Sequence, residues 1–123
     1  MKVPGAFTPT CTSTHLPGFL TYYDSFKDKG VDVIAVLAVN DPFVMAAWGD
    51  AHNAREKILF LTDTDAAFSR LFGCDLDLSA YGLGIRTHRY VLVAENGRIV
   101  YAAMETDPGV VTVTGAEAVL AAL

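Results

Sequence analysis

The first chemistry in the sequence is that of a thiol, because Cys11 stands where a proline-constrained loop enters a predicted helix. Unpaired backbone N–H groups and the positive end of the helix dipole stabilise a thiolate relative to a thiol at such a position. Thr8 places a hydroxyl three residues upstream, and Pro4 and Pro9 restrict the loop, so that little ordering remains for ligand binding. This pattern predicts a reactive cysteine; the alternative is a small buried side chain without chemistry.

Two other groups are candidates for thiol or metal chemistry. His15 follows Cys11 by four residues and could be its general base, although a helix terminus already activates the thiol. Zinc binding by Cys11, His15, Cys74 and a further histidine has no C-x-x-C or H-x-x-x-H spacing to support it, so no metal is expected. With only two cysteines, we expect free thiols rather than a disulfide framework, and we interpret Cys74 as a bystander.

Helical periodicity follows the reactive loop. It predicts a helix over residues 12–29 that either bends at Pro17 or has a separate first turn before it, and that ends at Gly30. The helical face consists of Leu16, Phe19, Leu20, Tyr23 and Phe26. Residues 31–39 are almost uninterrupted Val, Ile and Leu, which predicts a central strand buried on both faces.

The middle of the chain predicts two more helices and a strand. Asn40, Asp41 and Pro42 form an N-terminal cap for a helix that ends near His52 or Asn53. Its predicted buried face consists of Val44, Ala47, Trp48 and Ala51. Residues 58–61 predict a short strand, and residues 63–65 cap a brief helix with Phe68, Leu71 and Phe72.

The C-terminal part predicts a loop, a hairpin and a last helix. Residues 73–86 are interpreted as a long ordered loop. Residues 90–94 and 98–103 alternate around Asn96-Gly97, which is a strong hairpin signal. Thr114 and Glu117 have the spacing of a capping box for the last helix. The predicted order is αβαβαββα.

Composition limits the possible partners. The chain has 123 residues and a net charge of −5, so it lacks the basic surface that nucleic acids require. Its longest apolar run, residues 33–39, is far shorter than the roughly 20 residues of a membrane span. No apolar segment follows Met1-Lys2, so we expect a cytoplasmic location. A hydrophobic fraction of 52% on a small domain favours self-association.

The loop resembles the active-site segment of the peroxiredoxins, in the type II or Prx5-like branch. The resemblance starts at residues 3–11 (VPGAFTPTC) and continues through residues 15–19 (HLPGF). It extends over essentially the whole chain through residues 39–45 with Trp48, residues 75–79, residues 82–86 and Arg89-Tyr90. It implies a thioredoxin-like α/β fold with a central mixed sheet flanked by helices, in a single redoxin domain over residues 1–123.

The resemblance also implies a function and a set of site residues. The chain would be a thiol-dependent peroxidase for hydrogen peroxide and small organic hydroperoxides, with Cys11 oxidised to the sulfenic acid. Thr8 would hydrogen-bond the peroxide, and Pro4 would shield the sulfur from water. Arg89 would stabilise the thiolate and polarise the O–O bond, although without the resemblance it would be interpreted as a solvated charge. No cofactor is expected, because the thiolate is the redox centre.

The reductant and the assembly are inferred in the same way. The two places where branch members carry a resolving cysteine, around Val36 and at residues 112–115, hold none. The expected reductant is therefore an external thiol: glutathione, glutaredoxin or thioredoxin. The expected assembly is a homodimer.

The start of the chain departs from the family pattern. Met1-Lys2 stands where a leading central strand should end, so the redoxin domain is expected to lack its first strands. Open sheet edges and a displacement of Cys11 from Arg89 would follow. A fragment, a truncated form that dimerises and a degenerate paralogue are the three explanations. The alternative function is a non-catalytic redox-sensing or interaction domain, and a Cys11–His15 hydrolase is a third.

Overall fold

Short helices and strands alternate along the chain, and the computed structural model describes all residues from 1 to 123. The helical elements are a π-helical turn (Cys11–His15), α1 (Leu16–Thr21), α2 (Tyr23–Asp28), α3 (Pro42–Ala51), α4 (Ala67–Arg70) and α5 (Ala116–Ala121), with 3-10 turns at Thr64–Ala66 and Ser79–Tyr81. The strands are β1 (Ala35–Ala38), β2 (Leu59–Thr62), β3 (Asp75–Asp77), β4 (Ile85–Thr87), β5 (Tyr90–Glu95) and β6 (Arg98–Met104).

A mixed sheet forms the centre of the fold. β1 and β2 are parallel, with Ala35 opposite Leu59, and β5 and β6 form an antiparallel hairpin. Helices pack against this sheet; Trp48 of α3 meets Phe60 of β2 edge-on, with ring centroids 5.7 Å apart. The predicted mixed sheet with flanking helices is confirmed.

Residues 1–3 join the two strand pairs. Lys2 pairs with Leu37 in the parallel sense and with Tyr90 in the antiparallel sense. The Lys2 N–H donates to the Tyr90 carbonyl at 2.7 Å, and the Val3 N–H donates to the Leu37 carbonyl at 3.0 Å. The expected open edges are therefore wrong along residues 1–3, because this segment supplies the ladder between β1 and β5.

An apolar groove continues the same line. Beyond Met1, the space between β1 and β5 widens into a groove of about 700 Å³ with mainly hydrophobic lining. Val33 on its wall is 61% exposed. The uncovered apolar side chains expected from the sequence are found here.

The first predicted helix is divided into three parts. The π-helical turn precedes α1, and Pro17 lies in the first turn of α1, where its missing N–H costs least. This confirms a separate first turn rather than a bend at the proline. Tyr22 has non-helical torsion angles and separates α1 from α2, a break that the apolar periodicity did not predict. Gly30 follows the helix with φ 87°, a conformation suited to glycine.

The first strand is shorter than predicted and is not buried on both faces. β1 covers Ala35–Ala38, where Val36 and Ala38 are fully buried while the alternate residues are partly exposed. The apolar run of residues 31–39 concealed this alternation, because its first residues line the groove and are apolar without being buried in the sheet. Burial on both faces is therefore wrong, whereas the central position of β1 is confirmed.

Helix α3 is capped as predicted but buries a different face. The Asp41 carboxylate accepts the Val44 N–H at 2.9 Å, which confirms the cap. Met45, Trp48 and Gly49 are buried, whereas two members of the predicted face, Ala47 and Ala51, are exposed. Small alanines carry little information about direction, so the face was misplaced by about one residue.

The predicted loop over residues 73–86 contains a second, small sheet. β3 and β4 are antiparallel, with Asp75 opposite Thr87. The loop interpretation is wrong for these strands, because aspartates and glycines concealed a short alternating pattern. The hairpin of β5 and β6 is confirmed, with positive φ at both Asn96 and Gly97.

The predicted capping box is absent. α5 begins after Gly115 without a side-chain cap. The Thr114 hydroxyl instead donates to Glu105 at 2.9 Å, and Glu117 accepts from the Tyr22 hydroxyl at 2.6 Å. Tertiary partners therefore replace the local hydrogen bonds that the spacing indicated.

A buried ion pair fastens the N-terminal segment to the rest of the fold. The Lys2 ammonium lies 2.7 Å from the Asp63 carboxylate, and both side chains are almost completely buried. Asp63 also accepts from the Ser69 hydroxyl and from the Phe68 N–H. It thus binds the first turn of α4 without being its N-cap residue, which is Ala66, so the predicted cap is displaced. No helix in the structure combines the length and hydropathy needed to cross a membrane.

Candidate active site

Cys11 and Arg89 meet in the interior of the protein. Cys11 is the first residue of the π-helical turn and is 1% exposed, and Arg89 precedes β5 and is 0% exposed. The Arg89 Nη2 donates to the Cys11 Sγ at 3.2 Å. The expected displacement of Cys11 from Arg89 is therefore wrong: residues 1–3 hold the sheet together, and the two side chains are in direct contact.

The guanidinium of Arg89 has three acceptors. Besides the sulfur, its Nη1 bonds the His15 Nδ1 at 2.8 Å, and its Nε and Nη2 donate to the Pro108 carbonyl at 3.2 and 3.0 Å. None of the ion pairs in the structure involves Arg89. A buried cation is stabilised by nearby anions, and no carboxylate competes with an anion on the sulfur for this guanidinium.

The partners of His15 determine its protonation. Arginine has only donors, so the His15 Nδ1 must be the acceptor, and the Nε2–H donates to the Thr114 carbonyl at 2.9 Å. Burial lowers the pKa of His15 to about 3, and the neighbouring Arg89 charge also lowers it. The ring is therefore neutral with both nitrogens occupied, which argues against His15 as a base for Cys11 or a metal ligand.

Thr8 and Pro4 lie in the loop before the sulfur. The Thr8 hydroxyl donates to the Gly5 carbonyl at 2.6 Å, so its hydrogen is committed and its oxygen keeps lone pairs for an incoming O–H. Pro4 is buried. Phe7, directly before Thr8, has φ 61°, which bulky residues rarely adopt. The loop is thus held in one particular conformation next to Cys11.

Arg86 and Asn40 hold this loop from outside. The Arg86 Nη1 donates to the Pro4 carbonyl at 3.3 Å and to the Asn40 Oδ1 at 3.2 Å. Asn40 also accepts the Ala6 N–H at 2.9 Å. A Cβ on Gly5 would lie 3.0 Å from the Arg86 Nη1, so the glycine permits this close approach. The sequence reasoning used Asn40 only for helix capping and gave Arg86 no role.

The segment after β6 contributes residues that the sequence reasoning missed. Pro108 acts through its backbone carbonyl, which no side-chain motif reveals. Glu105 is 4% exposed and accepts hydrogen bonds from Thr112 and Thr114. A lone glutamate at the end of a strand carries no sequence signal for burial, since most glutamates are exposed.

Cys74 lies outside this arrangement. Its sulfur contacts the Phe72 carbonyl at 3.5 Å and the Met104 sulfur at 3.9 Å, and both cysteines are free. Burial raises the pKa of Cys74, with the nearby Asp75 charge as a second cause. This thiol is therefore held in its less nucleophilic form.

The arrangement suits nucleophilic attack by sulfur on an oxygen atom that leaves with negative charge. In such a reaction Cys11 would supply the nucleophile, and Arg89 would supply fixed donors for the anion before and after attack. The Thr8 oxygen, whose hydrogen is given to the Gly5 carbonyl, would be an acceptor for a substrate O–H. Cys11 and Arg89 come from a helix start and from the residue before a strand, and the tertiary fold brings them into contact; Thr8 lies three residues before Cys11 in the loop.

Comparison with known proteins places the chain in a family. The redoxin family model matches residues 2–120. Peroxiredoxin-2C of Oryza sativa subsp. japonica is 46% identical over 121 residues, which cover 98% of this chain and 74% of the rice protein. A Malassezia furfur protein named as a peroxiredoxin is 48% identical over 110 residues, which cover 89% of this chain but 62% of that relative.

A solved structure shares the fold. Reduced Prx3 from Vibrio vulnificus in complex with H₂O₂ is 47% identical, with a TM-score of 0.91 over 99% of this chain and 78% of that one. The fold and the thiol site therefore define a redoxin of thioredoxin-like α/β fold, as expected. The chain belongs to the peroxiredoxin family, with Prx5-like proteins among its structural relatives.

Proposed function

We propose that the protein is a thiol-dependent peroxidase that reduces hydrogen peroxide and small organic hydroperoxides at Cys11. The observation that carries the proposal is the 3.2 Å contact between the Arg89 Nη2 and the Cys11 Sγ. Apart from the sulfur, the guanidinium contacts only neutral acceptors, so a thiolate on Cys11 would be the anion that balances its charge. The rice relative and the Vibrio vulnificus structure, named as peroxiredoxins, support the same reaction.

The first step is attack of the Cys11 thiolate on the distal oxygen of the hydroperoxide. An S–O bond forms, the O–O bond breaks, and the sulfur loses two electrons to become the sulfenic acid. The proximal oxygen leaves as hydroxide or alkoxide and takes one proton from solvent, which gives water or an alcohol. Arg89 stabilises the leaving charge, and the Thr8 oxygen accepts the hydrogen bond that orients the substrate.

The second step returns the sulfur to the thiol. An external thiol attacks the sulfenic acid, water leaves, and a mixed disulfide forms; a second thiol then releases Cys11 and becomes part of an external disulfide. Glutathione, glutaredoxin and thioredoxin are the proposed reductants. Cys74 is not assigned to this step, because its contacts lie outside the Cys11 site.

A homodimer is the proposed assembly. Several large apolar side chains are unusually exposed: Phe43 at 86%, Tyr81 at 80% and Leu71 at 78%. We infer that exposed apolar side chains of this size are covered by a second copy of the chain. Sedimentation equilibrium on the wild-type chain should give twice the 13.2 kDa monomer mass; a monomer at all tested concentrations would reject the dimer.

The test of the reaction compares the two cysteines. We expect Cys11→Ser to abolish peroxide consumption and Cys74→Ser to leave it near wild type. Trapping with dimedone and peptide mass analysis after one equivalent of peroxide should place the sulfenic acid on Cys11. Unchanged peroxide consumption in Cys11→Ser would refute the proposal, and slow, ordinary thiol reactivity would favour the non-catalytic alternative.

The reductant is tested separately. Peroxide turnover is compared with glutathione alone, glutathione with glutaredoxin, and thioredoxin with its reductase, each at matched thiol concentration. Turnover with any of these thiols and with Cys74→Ser would support external reduction. If the wild type turned over with these thiols and Cys74→Ser did not, Cys74 would be required, and the sulfenic acid would be resolved within the protein instead.

A further inference from the structure

The segment between β6 and α5 is folded around one buried carboxylate. The Glu105 Oε1 accepts the backbone N–H groups of Thr112 at 2.5 Å and of Thr114 at 3.0 Å. The hydroxyls of the same two threonines donate at 2.7 and 2.9 Å. Burial by itself raises the pKa of Glu105, but these donors outweigh it and hold the pKa below the ordinary value. Glu105 is therefore an ionised carboxylate that accepts four hydrogen bonds.

This segment supplies one neutral acceptor of the Arg89 guanidinium, the Pro108 carbonyl, and it binds the other, His15, through the Thr114 carbonyl. Pro108 lies between the two ends that Glu105 ties together, and its carbonyl accepts from the Arg89 Nε and Nη2. Thr114 gives its N–H and hydroxyl to Glu105 and its carbonyl to the His15 Nε2. His15 in turn accepts from the Arg89 Nη1. Two separate routes thus lead from Glu105 to Arg89.

The negative charge of Glu105 lies near Arg89 without contacting its guanidinium. Arg89 is fully buried and has no carboxylate within ion-pair distance. A carboxylate bonded directly to the guanidinium would compete with the sulfur for its donors. Glu105 instead acts through Thr114 and His15, which lets it offset part of the buried positive charge while Nη2 remains directed at Cys11.

We propose that Glu105 is a positioning residue for the reaction at Cys11: its carboxylate fixes the segment 105–114 so that Pro108 and His15 hold the Arg89 guanidinium against the sulfur. This inference rests on the proposed peroxidase function. It concerns a residue that never touches substrate, so its effect must pass through Arg89.

A double-mutant cycle tests that dependence. Glu105→Gln keeps the shape of the side chain but removes its charge and part of its acceptor capacity. We expect the second-order rate constant for sulfenic acid formation at Cys11 to fall roughly tenfold, as for a lost charge-assisted hydrogen bond. In an Arg89→Gln background, the same substitution should have little further effect. Glu117→Gln, an exposed carboxylate at the start of α5, is the matched control and should retain the rate.

A spectroscopic readout accompanies the kinetics. The Arg89 Nε–H donates to Pro108 and should exchange slowly with solvent in the wild type. Glu105→Gln should accelerate the exchange of the Arg89 Nε–H. If Glu105 only stabilised the fold away from Arg89, this exchange would stay slow. If Glu105→Gln lowers the folded fraction, Thr112→Val removes one donor to the carboxylate and should give a smaller loss, about threefold, again absent without Arg89.

Two results would overturn the inference. A folded Glu105→Gln variant with wild-type rate and slow Nε–H exchange would show that the carboxylate does not position Arg89. An equal loss in the presence and absence of Arg89 would show that Glu105 acts on something else. Failure of the wild type to form sulfenic acid at Cys11 is a different outcome, which rejects the peroxidase function itself.

Discussion

Arg89→Lys separates the charge of the guanidinium from its geometry. The arginine donates in three directions, to the Cys11 sulfur at 3.2 Å, to His15 at 2.8 Å and to Pro108 at 3.0 Å. A lysine keeps the positive charge, but all its donors are on one nitrogen at the end of an unbranched chain, so it cannot reach all three acceptors. We therefore expect the contact with the sulfur to be lost while part of the Coulomb attraction remains.

The size of the effect follows from that one contact. A hydrogen bond to a charged group contributes about 1.5–3 kcal/mol, and each 1.36 kcal/mol is about tenfold in rate, so we expect a loss of roughly 10- to 100-fold. Arg89→Gln also removes the charge and should be slower still. The acceptors left on His15 and Pro108 should lower the free energy of unfolding by about 1–3 kcal/mol each.

The assay is rapid-quench formation of the Cys11 sulfenic acid, trapped with dimedone and quantified by mass, at peroxide concentrations that give a second-order rate constant. Urea unfolding at the same pH establishes that each variant is folded. Arg55→Lys is the control, since the Arg55 side chain is 55% exposed and pairs only with Asp50. A folded Arg89→Lys variant within about twofold of wild type would refute the reasoning, because charge alone would then suffice.

Three further predictions concern stability and the loop. Asp63→Asn leaves the Lys2 ammonium buried without an anion, so the free energy of unfolding in urea at pH 7 should fall by about 3–5 kcal/mol. Lys2→Met should lower it less, because Asp63 keeps its other donors. A larger loss for Lys2→Met than for Asp63→Asn would contradict this. His15 has a pKa of about 3 when folded against 6.5 unfolded, so the unfolded chain alone gains a proton as the pH falls below 6.5. The free energy of unfolding of the wild type should therefore fall by about 1.4 kcal/mol per pH unit between about pH 6 and 4 because of His15, and His15→Gln should lack this contribution. Equal pH slopes for the wild type and His15→Gln would show that the folded protein holds a charged imidazole. Thr8→Val should slow sulfenic acid formation about tenfold while Thr8→Ser stays near wild type, and a fast valine variant would remove the proposed acceptor role.

Local patterns predicted several elements well. The Asn96-Gly97 turn, the Asp41 cap and the glycine after α2 each depend on the torsion angles or hydrogen bonds of a few consecutive residues. The misplaced face of α3 and the overlooked strands β3 and β4 are different. Their burial and pairing depend on what lies opposite, and small or acidic residues such as Ala47 and Asp75 are compatible with several environments.

Residues 1–3 show the same limit for long-range pairing. From the sequence, Met1-Lys2 predicted an unpaired sheet and a displaced active site. In the structure, three residues suffice to bridge β1 and β5, because Lys2 forms ladder hydrogen bonds and buries its ammonium against Asp63. A lysine gives no indication of such burial, since it is almost never fully buried unless paired.

The sequence by itself determined the local element: a cysteine at a helix start, a threonine three residues before it and prolines around both. These features act locally, so their spacing predicts a reactive thiol. Through family resemblance it also pointed to Arg89. Only the tertiary structure decided what surrounds that arginine. His15 is only four residues from Cys11, but its tautomer is set by Arg89 and Thr114, which lie far along the chain, as do the Pro108 carbonyl and the Glu105 carboxylate. These groups matter because folding buries a cation and must supply acceptors for it.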